Sequence, residues 1–371
     1  MHRREFIAYG SAAALASVLA KAQVDQKAEA QTTATFELHL EEIYEEMIDG
    51  EVVFALTYRD PVTRLIRPPL TVTQGARVSI KLVNKTRKPR RFAITGFSSD
   101  AFPVVAAGAT GDISFAAPTA GSYIYHETTE GAVGRVLGLH GSLVVMPVDG
   151  RTAAGARTPY TNPTTAQGRL FDALGVAKRF PGERWRPELP ERNLIWLFSE
   201  IDPVLNRQVE RNLPVAWTTL NKTFTPQYFT INGVSGFDAA HDESVQPVGY
   251  LGEPHLIRTM NAGLATHSPH IHGNHVFVMS DTAPDTLGVV KSDNILECDT
   301  WMLKGMWRKD VLLPYIKPDE IPAAAWPPKQ EQFPLAYPMH CHCEMSQTAA
   351  GGNYPQGLIT HWELLGVRRG A

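Results

Sequence analysis

Six of the thirteen histidines fall in two short segments. HSPHIHGNH (267–275) carries His267, His270, His272 and His275; HCHCEM (340–345) carries His340 and His342 around Cys341, then Cys343, Glu344 and Met345. Side chains two apart on a strand share a face. His270 therefore goes with His272, and His340 with His342. If the two strands are neighbours, four imidazoles converge, a donor set that suits copper, zinc or iron. Cys341 must face the other way, where it can join His267 in a thiolate–imidazole site. Cysteine plus histidine, with a weak axial methionine, is the donor set of an electron-transfer copper. HCH is then a short covalent path between the two sites.

If the strand continues past His342, Glu344 joins the histidine face and adds a carboxylate, while Cys343 and Met345 join the Cys341 face. Cys343 has a competing use in a disulfide with Cys298. Three cysteines cannot all pair within one chain, so at least one thiol stays free or binds metal. The bland reading, clustered histidines without metal, suits any one of them but not two H-x-H pairs of which one straddles a cysteine. His255 and His361 read as ordinary strand residues, His140 as part of a glycine-rich turn, and His275 as a buried or supporting residue. No P-loop, dinucleotide glycine fingerprint, G-x-S-x-G elbow or H-E-x-x-H is present.

The elements that must hold these residues are strands. Twenty-seven prolines, twenty-nine glycines and many short β-branched runs in 371 residues indicate an all-β chain. That length allows two β-sandwich domains, expected at 33–150 and 191–371, joined by a Pro/Gly-rich linker at 151–190 with a short helix near 166–178. The halves echo one another. TQGARVSIKLVNKT matches LGEPHLIRTMNAG in character, and GSYIYHE…GLHGSLVVMP matches YPMHCHC…PQGLITHWEL, which predicts an internal repeat of one sandwich unit. A net charge of −3 gives no electrostatic case for nucleic acid or an anionic membrane, and no apolar run is long enough to span a bilayer.

The N-terminal MHRREFIAYGSAAALASVLAKAQ pairs Arg3 and Arg4 with a modest apolar run and an Ala20-Lys21-Ala22 cleavage pattern. It resembles a twin-arginine (Tat) signal peptide over residues 1–22, the route of proteins that fold before export, and so implies a periplasmic location. A Sec signal or a basic amphipathic start are the alternatives.

GEPHLIRTMNAGLATHSPHIHGN and YPMHCHC resemble the last domain of the multicopper oxidase family, and TQGARVSIKLVN with TAGSYIYHE…LGLHGSLVVMP resembles its first. The resemblance implies two Greek-key cupredoxin domains, as in two-domain laccases and nitrite reductases, which are typically trimers. It implies copper, with His270 a type 2 ligand, His272, His340 and His342 type 3 ligands, and His267 and Cys341 type 1 ligands. Cys341, His340 and His342 would then carry the catalytic electrons to dioxygen from a small-molecule or metal-ion substrate. The same resemblance ends the strand at His342.

The departures define the rest. Ser346 and Gly351 stand where the second type 1 histidine and the axial methionine are expected; the first domain has AITG (93–96) in place of H-W-H-G and keeps only His126 of its H-S-H, with Thr128 as the replacement. Five of eight cluster histidines remain, and a trimer repeats the same losses in every copy. The expectation is a reduced set of fewer than four coppers held by His267, His270, His272, His340, Cys341, His342, Glu344 and His126. A non-enzymatic copper-binding protein, or a copper-free scaffold on the same fold, is the alternative. A nitrite-reductase-like centre would need a cysteine in the first domain, which has none.

Overall fold

The computed structural model describes residues 33–327 and 331–368; the leader lies outside them. Residues 33–146 form nine strands: β1 Thr33–Glu46, β2 Val52–Arg59, β3 Leu70–Thr73, β4 Arg77–Asn84, β5 Arg90–Ile94, β6 Val104–Val105, β7 Thr110–Ala116, β8 Gly121–Glu127 and β9 His140–Met146. They pair as two sheets, β2-β1-β4-β7 and β3-β9-β8-β5-β6. In β4, RVSIKLVN, the period-2 pattern sends Val78, Ile80 and Leu82 into the core between the sheets and turns Arg77 and Lys81 outward.

The second half repeats this plan. Its strands are β10 Asn193–Ile201, β11 Tyr228–Ile231, β12 Val248–Gly249, β13 His255–Asn261, β14 Pro269–Ile271, β15 Val276–Ser280, β16 Lys291–Cys298, β17 Arg308–Leu313, β18 Leu335–Cys341 and β19 Ile359–Leu364. The sheets run β11-β10-β13-β17-β15-β16 and β12-β19-β18-β14. The parallel pairs β1/β4 and β3/β9 of the first sandwich reappear as β10/β13 and β12/β19. The chain is therefore two cupredoxin-like Greek-key sandwiches, and the repeat read from the sequence is a repeat of topology.

The Pro/Gly-rich connection is a packed cover. Its helix Thr165–Ala173 starts in a capping box of Thr164 and Gln167. Tyr160, Phe171 and Trp185 pack with Phe277, Met279 and Leu312 on the outer face of the second sandwich. This cover buries Leu256, and Ile124 of the first sandwich packs with Met260, so β13, unlike its counterpart β4, is buried along its whole length. Arg258 on β13 is buried too, paired with Asp310 at 3.1 Å, and Asp310 is held by Ser122 of the first sandwich (2.5 Å) and Tyr160 (2.8 Å). Two charges buried together with full hydrogen bonding avoid the penalty of an isolated one.

Candidate metal centre

Two strands build the centre. β14 and β18 run antiparallel, with His270 opposite His340 and Pro269 opposite Cys341. Along β18, Leu335, Tyr337, Met339 and Cys341 point into the core while His340 is turned out; His342, just past the strand, is exposed. Four imidazoles thus gather on the outer face. Ring centroids lie 4.7 Å apart for His270–His272, 4.6 Å for His270–His342, 5.2 Å for His272–His340 and 5.2 Å for His340–His342. The Nε2 atoms of His272 and His340 approach to 3.1 Å, and one ligand atom each from His270, His272 and His340 fits within 4.8 Å. Nδ1 of His270 is engaged by the Thr300 hydroxyl at 2.8 Å, which leaves its Nε2 free. Burial, with the neighbouring imidazoles, lowers the pKa of His270 (against Asp299) and of His272. Neutral imidazole is the form that binds metal. An open cleft of about 270 Å³ adjoins the cluster, lined by His270, His272, His275, Asp299, Glu320 and Ile321.

On the inner face, Nδ1 of His267 lies 3.7 Å from Cys341 Sγ. The other ring nitrogen meets Glu200 Oε1 at 2.9 Å, and the same carboxylate accepts the backbone N–H groups of Leu264 (3.0 Å) and Ala265 (2.9 Å). Glu200 lies near the end of β10, in NLIWLFSEI, and is buried. From the first sandwich, Arg135 donates to the carbonyls of Ala262 and Gly263, in the loop before His267. Burial disfavours a charged imidazole, but Cys341 and Glu200 outweigh it and raise His267 to about 9. Burial likewise disfavours the thiolate, yet His267 brings Cys341 down to about 7. Cys341 Sγ also accepts N–H groups from Ser268 (3.3 Å) and Cys343 (3.4 Å). With bond lengths of about 2.3 Å to sulfur and 2.0 Å to nitrogen, one cation spans the 3.7 Å gap at an angle near 115–120°. The pair fits a metal.

Strand alternation does not carry Glu344 onto the histidine face. The strand ends at Cys341, and Glu344–Gln347 form an exposed-starting 3-10 turn closed by Ser346 N–H on the Cys343 carbonyl, so the alternation that placed Glu344 with His340 stops short of it. Met345 is 67 % exposed. Ser346 Oγ donates to the Cys343 carbonyl. His126 is not gathered with the second-half histidines. It sits on β8 beside Arg135, where burial first and that guanidinium second bring it to about 3. All three cysteines are free, so Cys298 and Cys343 are unpaired.

The first sandwich explains its own missing ligands. Strands β5 and β8 match β14 and β18 in register: Ala93 faces His126 as His270 faces His340, and Phe92 faces Glu127 as Pro269 faces Cys341. Thr95 and Thr128 then stand for His272 and His342, and Arg90 for His267. Arg90 and Glu127 form a buried ion pair at 3.6 Å. Glu127 accepts N–H groups from Arg91 and Thr129, the counterparts of the Ser268 and Cys343 groups that bond Cys341. The position of the Cys–His pair is filled here by a salt bridge.

Solved structures align over nearly the whole chain. A blue copper oxidase from Nitrosomonas europaea matches with a TM-score of 0.61 at 18% identity, covering 90% of this chain and 86% of that one. The multicopper oxidase mgLAC gives 0.61 at 20% identity with the same coverages, and a copper nitrite reductase from Nitrosomonas europaea gives 0.54 at 16%, over 90% and 94%. This is the multicopper oxidase fold. No family model and no curated protein matches the sequence. Within this fold, sequence reasoning missed Glu200 and Arg135. A lone acid inside the apolar run NLIWLFSEI was the available signal for the first; Arg135 left none.

Proposed function

We propose that the chain is a copper-binding oxidoreductase of the multicopper oxidase type with a reduced metal set. The observation that carries this is the convergence of four imidazoles on one face of β14 and β18, one residue from a buried Cys–His pair on the other. His270, His272, His340 and His342 would hold one metal, and His267 with Cys341 another. Copper, when bound, supplies one-electron transfer. Cys341 connects the sites through its own peptide bonds to His340 and His342, the shortest covalent route available. Glu200 fixes the proton of His267 on Nε2 and leaves Nδ1 free to donate its lone pair. The open cleft admits a small organic or metal-ion substrate beside the histidines, with dioxygen as the electron acceptor. Export by the twin-arginine route to the periplasm belongs to the same reading, as does a homotrimer that would cover the exposed histidine face. Among the described residues no helix is long and apolar enough to cross a membrane.

A non-enzymatic copper-binding protein is the second reading. It is favoured by the Arg90–Glu127 pair, which occupies the first sandwich's ligand position. Copper added to metal-free protein, followed by copper count, electron paramagnetic resonance and oxygen uptake with one-electron donors, separates the two. Bound copper with oxygen uptake supports the oxidoreductase; bound copper without turnover supports the second reading. No bound copper refutes both.

A further inference from the structure

The Cys–His pair lacks the two further ligands of an electron-transfer copper: Ser346 replaces one and Gly351 the other, and Met345 points to solvent. Cys343 offers a further sulfur beside the pair. Its thiol is half-buried and donates to the carbonyl of Thr266 at 3.2 Å, the residue immediately before His267. Its N–H bonds Cys341 Sγ at 3.4 Å, so a single turn carries both sulfurs. The Ser346 hydroxyl is committed to the Cys343 carbonyl at 2.7 Å and holds that turn closed.

We propose that Cys341, Cys343 and His267 form a three-donor site that takes up copper in the monovalent state, the reduced form of the one-electron site described above. Two soft thiolates with one imidazole select Cu(I) over Cu(II) and over harder divalent ions. The 3.7 Å between His267 Nδ1 and Cys341 Sγ suits a three-coordinate ion, and the bond to the Thr266 carbonyl holds the second sulfur beside the residue that precedes His267. Loading is a ligand exchange without electron transfer. One Cu(I) enters and two protons leave, one from Cys343 and one from the Cys341–His267 pair, with the second His267 proton retained on Nε2 against Glu200. The inference rests on the copper reading above and adds the oxidation state in which the ion is taken up and the third ligand.

Anaerobic titration with Cu(I) against a chromophoric competing chelator tests it, using the full chain with His270→Ala and His272→Ala to silence the other site. Cys343→Ser is expected to weaken binding by at least the ~10–100-fold that even a supporting residue costs, and X-ray absorption of the loaded parent is expected to count two sulfurs. A count of one sulfur overturns the proposal without any appeal to how the variant folds, as does undiminished affinity in Cys343→Ser. In either case bound copper leaves the broader copper reading standing. Failure of the unmutated chain to take up copper at all overturns both.

Discussion

Replacing Glu200 by glutamine probes the part of the centre that the sequence hid. The carboxylate receives three groups: the N–H of Leu264, the N–H of Ala265 and the ring of His267. In Glu200→Gln the amide oxygen can keep the two backbone donors, which turns the amide NH₂ toward His267 Nε2. Two donors then face each other, so the imidazole must move its proton to Nδ1, the nitrogen that faces Cys341 at 3.7 Å. The loss is the difference between a charge-assisted and a neutral buried hydrogen bond, roughly 1 kcal/mol, and copper affinity at the Cys–His site falls by about 10–100-fold through the wrong tautomer. Urea unfolding measures the first quantity and Cu(I) competition in the His270→Ala, His272→Ala background measures the second. Nitrogen NMR of the His267 ring should show the pKa dropping from about 9. Unchanged affinity together with an unchanged pKa would refute the role given to Glu200.

Further outcomes follow from the same geometry. Removing one of the convergent imidazoles, His272→Ala or His340→Ala, should lower the copper count at the outer site while the sulfur-bound signal persists; loss of both together would tie the two sites into one. Arg90→Met leaves Glu127 buried without its partner at 3.6 Å, and should cost about 3–5 kcal/mol in unfolding free energy with no change in copper count. In the metal-free protein, Cys341 is lowered to about 7, so its contribution is complete above its ordinary value of 9.0 and is lost as pH falls through 7. His267 is raised to about 9, so its contribution is complete below 6.5 and is lost as pH rises through 9. A thiolate–imidazolium pair therefore exists between about pH 7 and 9, and an ultraviolet thiolate titration that runs unshifted near 9 would contradict it.

Strand periodicity made much of this legible. The alternation of β18 separates Cys341 from His340, and the paired H-x-H spacing places four imidazoles on one side before any coordinates are known. The same rule failed at Glu344, because it says which face a strand residue takes and not where the strand stops. Here the stop is set by the turn that Ser346 closes on Cys343. Composition marked 151–190 as a linker, but Pro and Gly content does not register that Tyr160, Phe171 and Trp185 have apolar surface to bury and a bare sheet face to bury it on. Glu200 was out of reach for another reason. It lies 67 positions from His267, and its importance comes from three donors that only the folded chain assembles.

The two copies of the sandwich also place the same pair of backbone N–H groups around different atoms, a carboxylate oxygen of Glu127 in one and the sulfur of Cys341 in the other. What the duplicated framework keeps at that point is a socket for negative charge, and the side chain plugged into it decides whether the socket serves as a bolt or as a binding site. The molecule thus carries its own blank. Transplanting Arg and Glu onto positions 267 and 341 should give a metal-free chain locked as the first half is, and transplanting His and Cys onto positions 90 and 127 should open a second soft site in a half that has none.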